Sequence, residues 1–373
     1  MLHRNVLHLS FWRKMATQPL KTFILKTGLQ LAEQAPALLS RINHGRQNEL
    51  LKHYYEHIPQ RTFTEKHITP ARLVYATSRQ IPLALSNNEG KIFIRRNLQN
   101  AKIAAQVALA PVQDFGFDAG ILFSDILFIL ETVGYDVKFN PSPEISLLRK
   151  IPTQTMQFQV DAIHETKKLL GEVPLIGFIG GHSTIFHFLE KSTNAKPEHQ
   201  TLENFFDDIN ENLLENVFVQ AEAGIDAFAI LDSQLHHHIQ ENSWYFPKMQ
   251  KFVDKIKKNF PNLPIIYYAQ KIEHYKKLKN IDCFGFDSSH DILEIMKNHH
   301  NEFAIQGNFD QNILTEEAEI SKTKAVEYMN EIAKLPDEMR KGWINGLGHG
   351  VVKESNQENV REFIKQNKVI FGK

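Results

Sequence analysis

Ala119-Gly120-Ile121-Leu122-Phe123-Ser124-Asp125-Ile126-Leu127 is the stretch on which the fold turns. Its first five residues are an unbroken apolar run, read as a strand buried on both faces. Asp125 closes the run. A carboxylate there costs several kcal/mol unless something pairs with it. Asp125 is therefore neutralised by a fixed partner, held ready for a ligand rich in N–H donors, or used to cap the following helix.

With the strand here counted as Gly120–Ser124, seven further β-rich runs repeat the pattern: Leu73–Thr77, Leu175–Gly180, Ala227–Leu231, Pro264–Ala269, Cys283–Phe286, Phe303–Gly307 and Trp343–Leu347. Helical periodicity lies between them, as in Leu98, Ala101, Ala105, Ala108, Leu109 and Val112, then Leu213, Leu214, Val217, Phe218 and Ala221, then Phe252, Val253, Ile256 and Phe260. Eight strands alternating with helices predict an α/β fold, a (β/α)8 barrel whose ligand site lies at the C-terminal strand ends. Those ends carry Arg79, Asp125, Gly180-Gly181-His182, Asp232-Ser233, Asp287, Asn308, Asp310 and Gly348-His349-Gly350. They are expected to converge on one mouth.

Composition narrows the function. The 373 residues hold 43 Lys plus Arg against 43 Asp plus Glu, so no global basic field points to nucleic acid. No stretch is long and apolar enough for a membrane span, since Asp125 and Glu131 interrupt the richest window. A single cysteine, Cys283, excludes an internal disulfide and any multi-thiolate metal site. Gly-rich phosphate loops are absent. The run His236-His237-His238 suggests a metal, but neighbouring helical residues do not share a face and the sequence offers no matching ligand set, so none is expected. Residues 1–32 contain Arg4, Arg13, Lys14, Lys21 and Lys26 and no acid, interspersed with Val6, Leu7, Leu9, Phe11 and Trp12. That pattern predicts a mitochondrial presequence, the alternative being an ordinary basic arm on a cytoplasmic protein. A helical extension is expected over 33–68 and the barrel over 69–373.

Five motifs, in order from about Thr69 to Lys365, resemble the uroporphyrinogen decarboxylase family. Phe123–Leu127 is similar to its FSDIL and Val173–Gly180 to its VPLIGFAG. Ala223–Ser233 is similar to AGAxxxxxFESH, Gln306–Asp310 to QGNLDP and Leu347–Gly350 to LGHG. The resemblance implies a (β/α)8 barrel that decarboxylates the four acetate arms of uroporphyrinogen III to give coproporphyrinogen III. It needs no metal or organic cofactor, because the protonated pyrrole is the electron sink. By the same resemblance Asp125 gathers the pyrrole N–H groups, and Arg79 matches the second arginine of the family's MRQAGRYLP. Ser233 and His349 contact substrate, and Phe178 packs in the pocket.

Several pocket positions depart from the family pattern. Tyr75 stands where the first arginine is expected and Ala76 where a glutamine is. Phe188 replaces a pocket tyrosine, Leu231 the phenylalanine of FESH, Gly346 the asparagine before LGHG, and Asn140-Pro141-Ser142-Pro143 a flexible GKGP loop. A tyrosine cannot replace a cation that forks onto a carboxylate. Two functions follow as alternatives: a uroporphyrinogen decarboxylase with an altered mouth, or a silenced relative serving as a structural or docking subunit of a mitochondrial assembly. A cobamide-dependent methyltransferase, which shares the barrel and binds zinc through one His and two Cys, fits poorly with one cysteine. The expected partners are a tetrapyrrole and a second copy of the chain or a larger mitochondrial complex.

Overall fold

The computed structural model describes residues 100–140, 142–147, 156–192, 201–238, 244–273, 275–352 and 354–372. The expected strand Leu73–Thr77, the helical extension over 33–68 and the basic segment 1–32 lie outside the described residues, as do Tyr75, Ala76 and Arg79.

The described chain runs α1 (Ala101–Phe115), β1 (Gly120–Ile121), α2 (Phe128–Thr132), β2 (Tyr135–Asn140), β3 (Ser142–Leu147), α3 (Gln157–Leu170), β4 (Leu175–Gly180), α4 (His182–Lys191) and α5 (Leu202–Glu222). It continues through β5 (Ala227–Leu231), α6 (Tyr245–Asn259), β6 (Ile265–Tyr268), β7 (Cys283–Gly285), α7 (Ile292–His299) and β8 (Ala304–Gln306). The last elements are α8 (Ala318–Ala333), α9 (Asp337–Arg340), β9 (Trp343–Ile344) and α10 (Gln357–Phe371). Seven strands form one parallel sheet in the order β1-β4-β5-β6-β7-β8-β9, each beside its successor in the βα series. This curled parallel sheet with its helices is the α/β architecture of a (β/α)8 barrel.

Local chemistry accounts for the elements. β4 reads Leu-Ile-Gly-Phe-Ile-Gly and every residue is buried, as a strand covered on both faces requires. Asn100, Thr201 and Asp291 cap α1, α5 and α7 by accepting backbone N–H groups of the first turn. The amphipathic α6 buries Phe246, Met249, Phe252, Val253 and Ile256.

Register fixes which side chains line the barrel. Gly180, Leu231, Tyr268, Gly285, Gln306 and Ile344 are successive partners across the sheet, so they share a face, and each is the last residue of its strand. That face is the interior. Gly177, of opposite parity, faces outward, because a Cβ there would meet Gln220 of α5. The six residues therefore form the floor beneath the strand ends. Phe178, Ala229, Ile266, Cys283 and Ala304 form the layer below.

Three elements differ from the sequence reading, the first being β9, expected over Trp343–Leu347 and ending at Ile344. The strand expected at Gly120–Ser124 leaves the ladder after Ile121. An antiparallel ribbon, β2–β3, follows α2, with Asn140 opposite Ser142 at its tip, where the sequence reading had only the Asn140–Pro143 loop. Ser192 at the end of α4 anchors the ribbon: its Oγ accepts from Ile145 N at 3.1 Å and donates to Ile145 O at 2.8 Å.

Candidate active site

The early end of β1 builds the Asp125 position. Leu122 N still donates to Ile176 O, but the next groups of β4 facing β1 are claimed by another element. Gln220 of α5 inserts its amide: Phe178 N donates to Gln220 Oε1 at 3.0 Å and Gln220 Nε2 donates to Phe178 O at 2.9 Å. A buried amide relay continues from there. Gln220 Nε2 donates to Asn216 Oδ1 (2.6 Å), Asn216 Nδ2 to Gln159 Oε1 (2.8 Å), and Gln159 Nε2 to Ser124 Oγ (3.0 Å). Gly177 makes room, since a Cβ there would stand 2.4 Å from Gln220 Oε1. Gly180 lets the next residues fold over β4, because its Cβ would lie 3.0 Å from Ile126 Cβ. The chain is thereby pried off the sheet at Ser124 and turned across the mouth at Asp125.

Asp125 is half-buried, and its Oδ1 accepts Leu127 N at 2.7 Å. Among the described residues no side chain donates to it and no cation pairs with it. Burial pushes its pKa up to about 6, against the pull of the Leu127 N–H. At pH 7 it is an anion with most of its acceptor capacity unused.

The rim over β7, β8 and β9 is pre-organised. Asp287 Oδ1 accepts Ser289 Oγ (2.6 Å) and Ser289 N (3.2 Å) and meets His290 Nδ1 at 2.8 Å, while Oδ2 accepts Lys271 N at 3.1 Å. Burial opposes ionisation of Asp287, but His290, Ser289 and the Lys271 N–H outweigh it and hold its pKa down to about 2. His290 is penalised by burial too, yet Asp287 and the Ile272 carbonyl, 3.1 Å from Nε2, raise its pKa. Asn308 Nδ2 ties the dyad down by donating to the Asp287 and His290 carbonyls, both at 2.8 Å. Tyr268 reaches inward and donates to Gly348 O at 2.8 Å, its ring 6.3 Å from that of His349. His349 is half-buried. Burial lowers its pKa, opposed by the Gly350 carbonyl and by Asp287, so it stands neutral at pH 7.

The predicted residues divide. Asp125, Ser233 and His349 follow β1, β5 and β9 at the same edge of the sheet, and all three are half-buried. Phe178 points inward but is 3% exposed, one layer beneath the floor, where it packs. Phe188 sits half-buried on α4, packed against the core, rather than on a strand end. The expected convergence of every strand-end polar group is corrected at two places. His182 turns outward and stacks on Phe206 of α5 at 3.6 Å, and burial pushes its pKa down to about 3. Asp232 also turns outward. Its carboxylate accepts Thr184 N (3.1 Å), Thr184 Oγ1, the Tyr245 hydroxyl and the Tyr267 hydroxyl (2.9 Å), stitching β5 to β6, α4 and α6.

Two contributors escaped the sequence reading. Lys271, exposed in the loop after β6, donates its backbone N–H to the rim carboxylate Asp287 and makes no ion pair among the described residues; nothing marks it in sequence. His290 looks like any loop histidine until Asp287, three residues earlier, is seen to hold it. The dismissal of the histidine run also needs correction in its premise. His238 Nε2 lies 3.3 Å from His187 Nδ1 of α4, and Glu190 is on the same helix face. The ligand set judged absent is there, supplied from 51 residues away. A shallow depression of about 540 Å³ along α8 is lined by Glu327, Asn330, Glu331, Ala333 and Lys334, with no strand-end residue among them.

Known proteins resemble this chain in sequence and in fold. The chain is 27% identical over 335 residues to "Uroporphyrinogen decarboxylase" of Chlorobium phaeobacteroides, covering 81% of this chain and 95% of that one. It is 28% identical over 336 residues to the protein of the same name from Chlorobaculum parvum, covering 80% and 93%. Among solved structures a methyltransferase from Methanosarcina mazei superposes with a TM-score of 0.53 at 16% identity, over 74% of this chain and 87% of that one, a likeness of fold alone. Residues 68–368 match the family described as Uroporphyrinogen decarboxylase (URO-D), and the chain belongs to that family.

Proposed function

We propose that the mouth receives uroporphyrinogen III and that the chain decarboxylates its four acetate arms to give coproporphyrinogen III. One observation carries the reading: Asp125 is an anion at the strand ends that, among the described residues, has a single backbone donor and no cation. Its unused acceptor capacity suits a cluster of pyrrole N–H groups, which would give charge-assisted bonds. Each turnover then protonates a pyrrole ring carbon. The bond between the acetate methylene and its carboxyl breaks, its electrons enter the ring, and CO2 leaves. The methylene takes up a proton to become methyl and the ring proton is lost, so one proton is consumed per CO2. The chain's own groups position the reactants. Lys271 offers a charge for peripheral carboxylates, and the neutral His349 offers its ring to one of them.

A second reading is favoured by Tyr75, which stands where the family motif has an arginine. The described arginines do not compensate. Arg340 is held by Leu335 O and Asp337, and Arg361 by Asp114 O and Glu358, all on outer helices. In that reading the barrel is silent and serves as a docking subunit. Anaerobic incubation of purified protein with uroporphyrinogen III, followed by oxidation and chromatography, decides between them. Coproporphyrin formed above a blank and lost in Asp125→Asn supports the enzyme. No product from wild type supports the silent barrel.

Residues 1–32 are proposed as a mitochondrial address, tested by fusing them to a reporter and following import. Association is proposed as a homodimer, checked by light scattering on the purified chain.

A further inference from the structure

We propose that His187, Glu190 and His238 form a binding site for one divalent transition-metal ion of the zinc class, which clamps α4 to the turn after β5. One ligand atom from each residue lies within 4.8 Å of the others. The two imidazole nitrogens, His187 Nδ1 and His238 Nε2, stand 3.3 Å apart. Two nitrogens bound to one tetrahedral zinc at ~2.0–2.1 Å are separated by roughly 3.4 Å, so the pair already has the bite of a bidentate site. Glu190 follows His187 by three residues on α4, which places both on one helix face. Its carboxylate comes within 4.0 Å of His238 Nδ1, the ring nitrogen other than the one that meets His187, and has no other ion pair among the described residues. Glu190 is exposed, so its side chain is free to rotate inward. His187 is 9% exposed, and its ring lies 5.0 Å from that of His237 at 13°. Two imidazoles and one carboxylate suit a borderline-soft cation and leave a fourth position for water.

The site's position gives it a consequence. The turn Leu235–His237 lies between Ser233 and His238, and α4 ends on Ser192, which brackets Ile145 of the β2–β3 ribbon. A bound ion ties the loop carrying Ser233 to the helix that anchors the ribbon.

The test uses untagged, chelator-treated full-length protein, titrated with Zn2+ by calorimetry and with Co2+ by visible absorption. The expected result is one equivalent of either ion, tetrahedral Co2+ bands, and a thermal midpoint raised by Zn2+. His238→Gln and Glu190→Gln, at half-buried and exposed positions that spare the fold, each weaken binding by at least about tenfold and abolish the thermal shift. His237→Gln keeps both. The proposal is overturned if wild type binds no stoichiometric ion, if His238→Gln or Glu190→Gln binds as wild type does, or if His237→Gln alone removes binding. The first of these leaves His187 and His238 as a simple hydrogen-bonded pair, and the last assigns the ion to the exposed histidine run.

Discussion

At the scale of single residues, Asp125 is an anion held at a cost. Its folded pKa, about 6, lies above the ordinary 3.8, so the folded chain binds the proton more tightly than the unfolded one. Stability then falls as pH rises from 3.8 to about 6 and stays lower above it. Asp125→Asn keeps an acceptor for the Leu127 N–H and removes the charge. It is expected to melt higher than wild type at about pH 8 and to match it below about pH 4, measured by calorimetry across that range. A carboxylate whose partners outweigh its burial, such as Asp287, would show the reverse. Asp232 serves the fold: four donors satisfy it, although burial still pushes its pKa up. Asp232→Ala strands two buried tyrosine hydroxyls and should cost roughly 3–5 kcal/mol in denaturant unfolding. Asp125 was legible in sequence because an acid ended an apolar run. The outward turn of Asp232 was not, since the same signal preceded it and only Tyr245 and Tyr267 decide its direction.

At the scale of elements, the device that matters is the amide wedge between β1 and β4. Gly177→Ala would drive a Cβ to 2.4 Å from Gln220 Oε1 and 2.7 Å from Ile225. Overpacking of that kind costs typically ~1–3 kcal/mol. Gln220→Leu removes both bonds to the Phe178 backbone and should cost about 2–4 kcal/mol. Both variants are expected to weaken tetrapyrrole binding more than an equally destabilising change in α8, because they release Ser124 and with it Asp125. Equal binding losses at equal stability would separate the wedge from the site. The bounds of β4 and β5 were readable to the residue, since both are unbroken apolar runs closed by glycine or aspartate. β1 was read too long because Gln220 intrudes from far along the chain. The ribbon had a period-two signal in Tyr135, Val137 and Phe139, but Pro141 and Pro143 argued for a loop. The pairing of His187 with His238 left no trace in sequence, because it joins a helix to a turn through the fold alone.

At the scale of the whole molecule, a hydrogen-bonded rim after β7 and β8 and the anion after β1 stand at the same edge of the sheet. The Asp287–His290 pair supports the rim over a definite pH window. Asp287, depressed to about 2, contributes stability above 3.8 that is lost as pH falls through 2. His290, raised above 6.5, contributes stability below 6.5 that is lost as pH rises through its folded value. Both act fully between 3.8 and 6.5, so His290→Ala should destabilise more at about pH 5.5 than at about pH 9, read from urea midpoints. The architecture as a whole was legible because it is written in repetition, run after apolar run, whereas the mouth is written in contacts between distant segments. The most direct test of the central claim is the affinity of uroporphyrinogen III for wild type and Asp125→Asn, measured anaerobically at about pH 8. The account predicts a loss of roughly 2–4 kcal/mol in the variant, some 30- to 1000-fold in Kd. Equal affinities would contradict it, for the carboxylate would then hold no pyrrole.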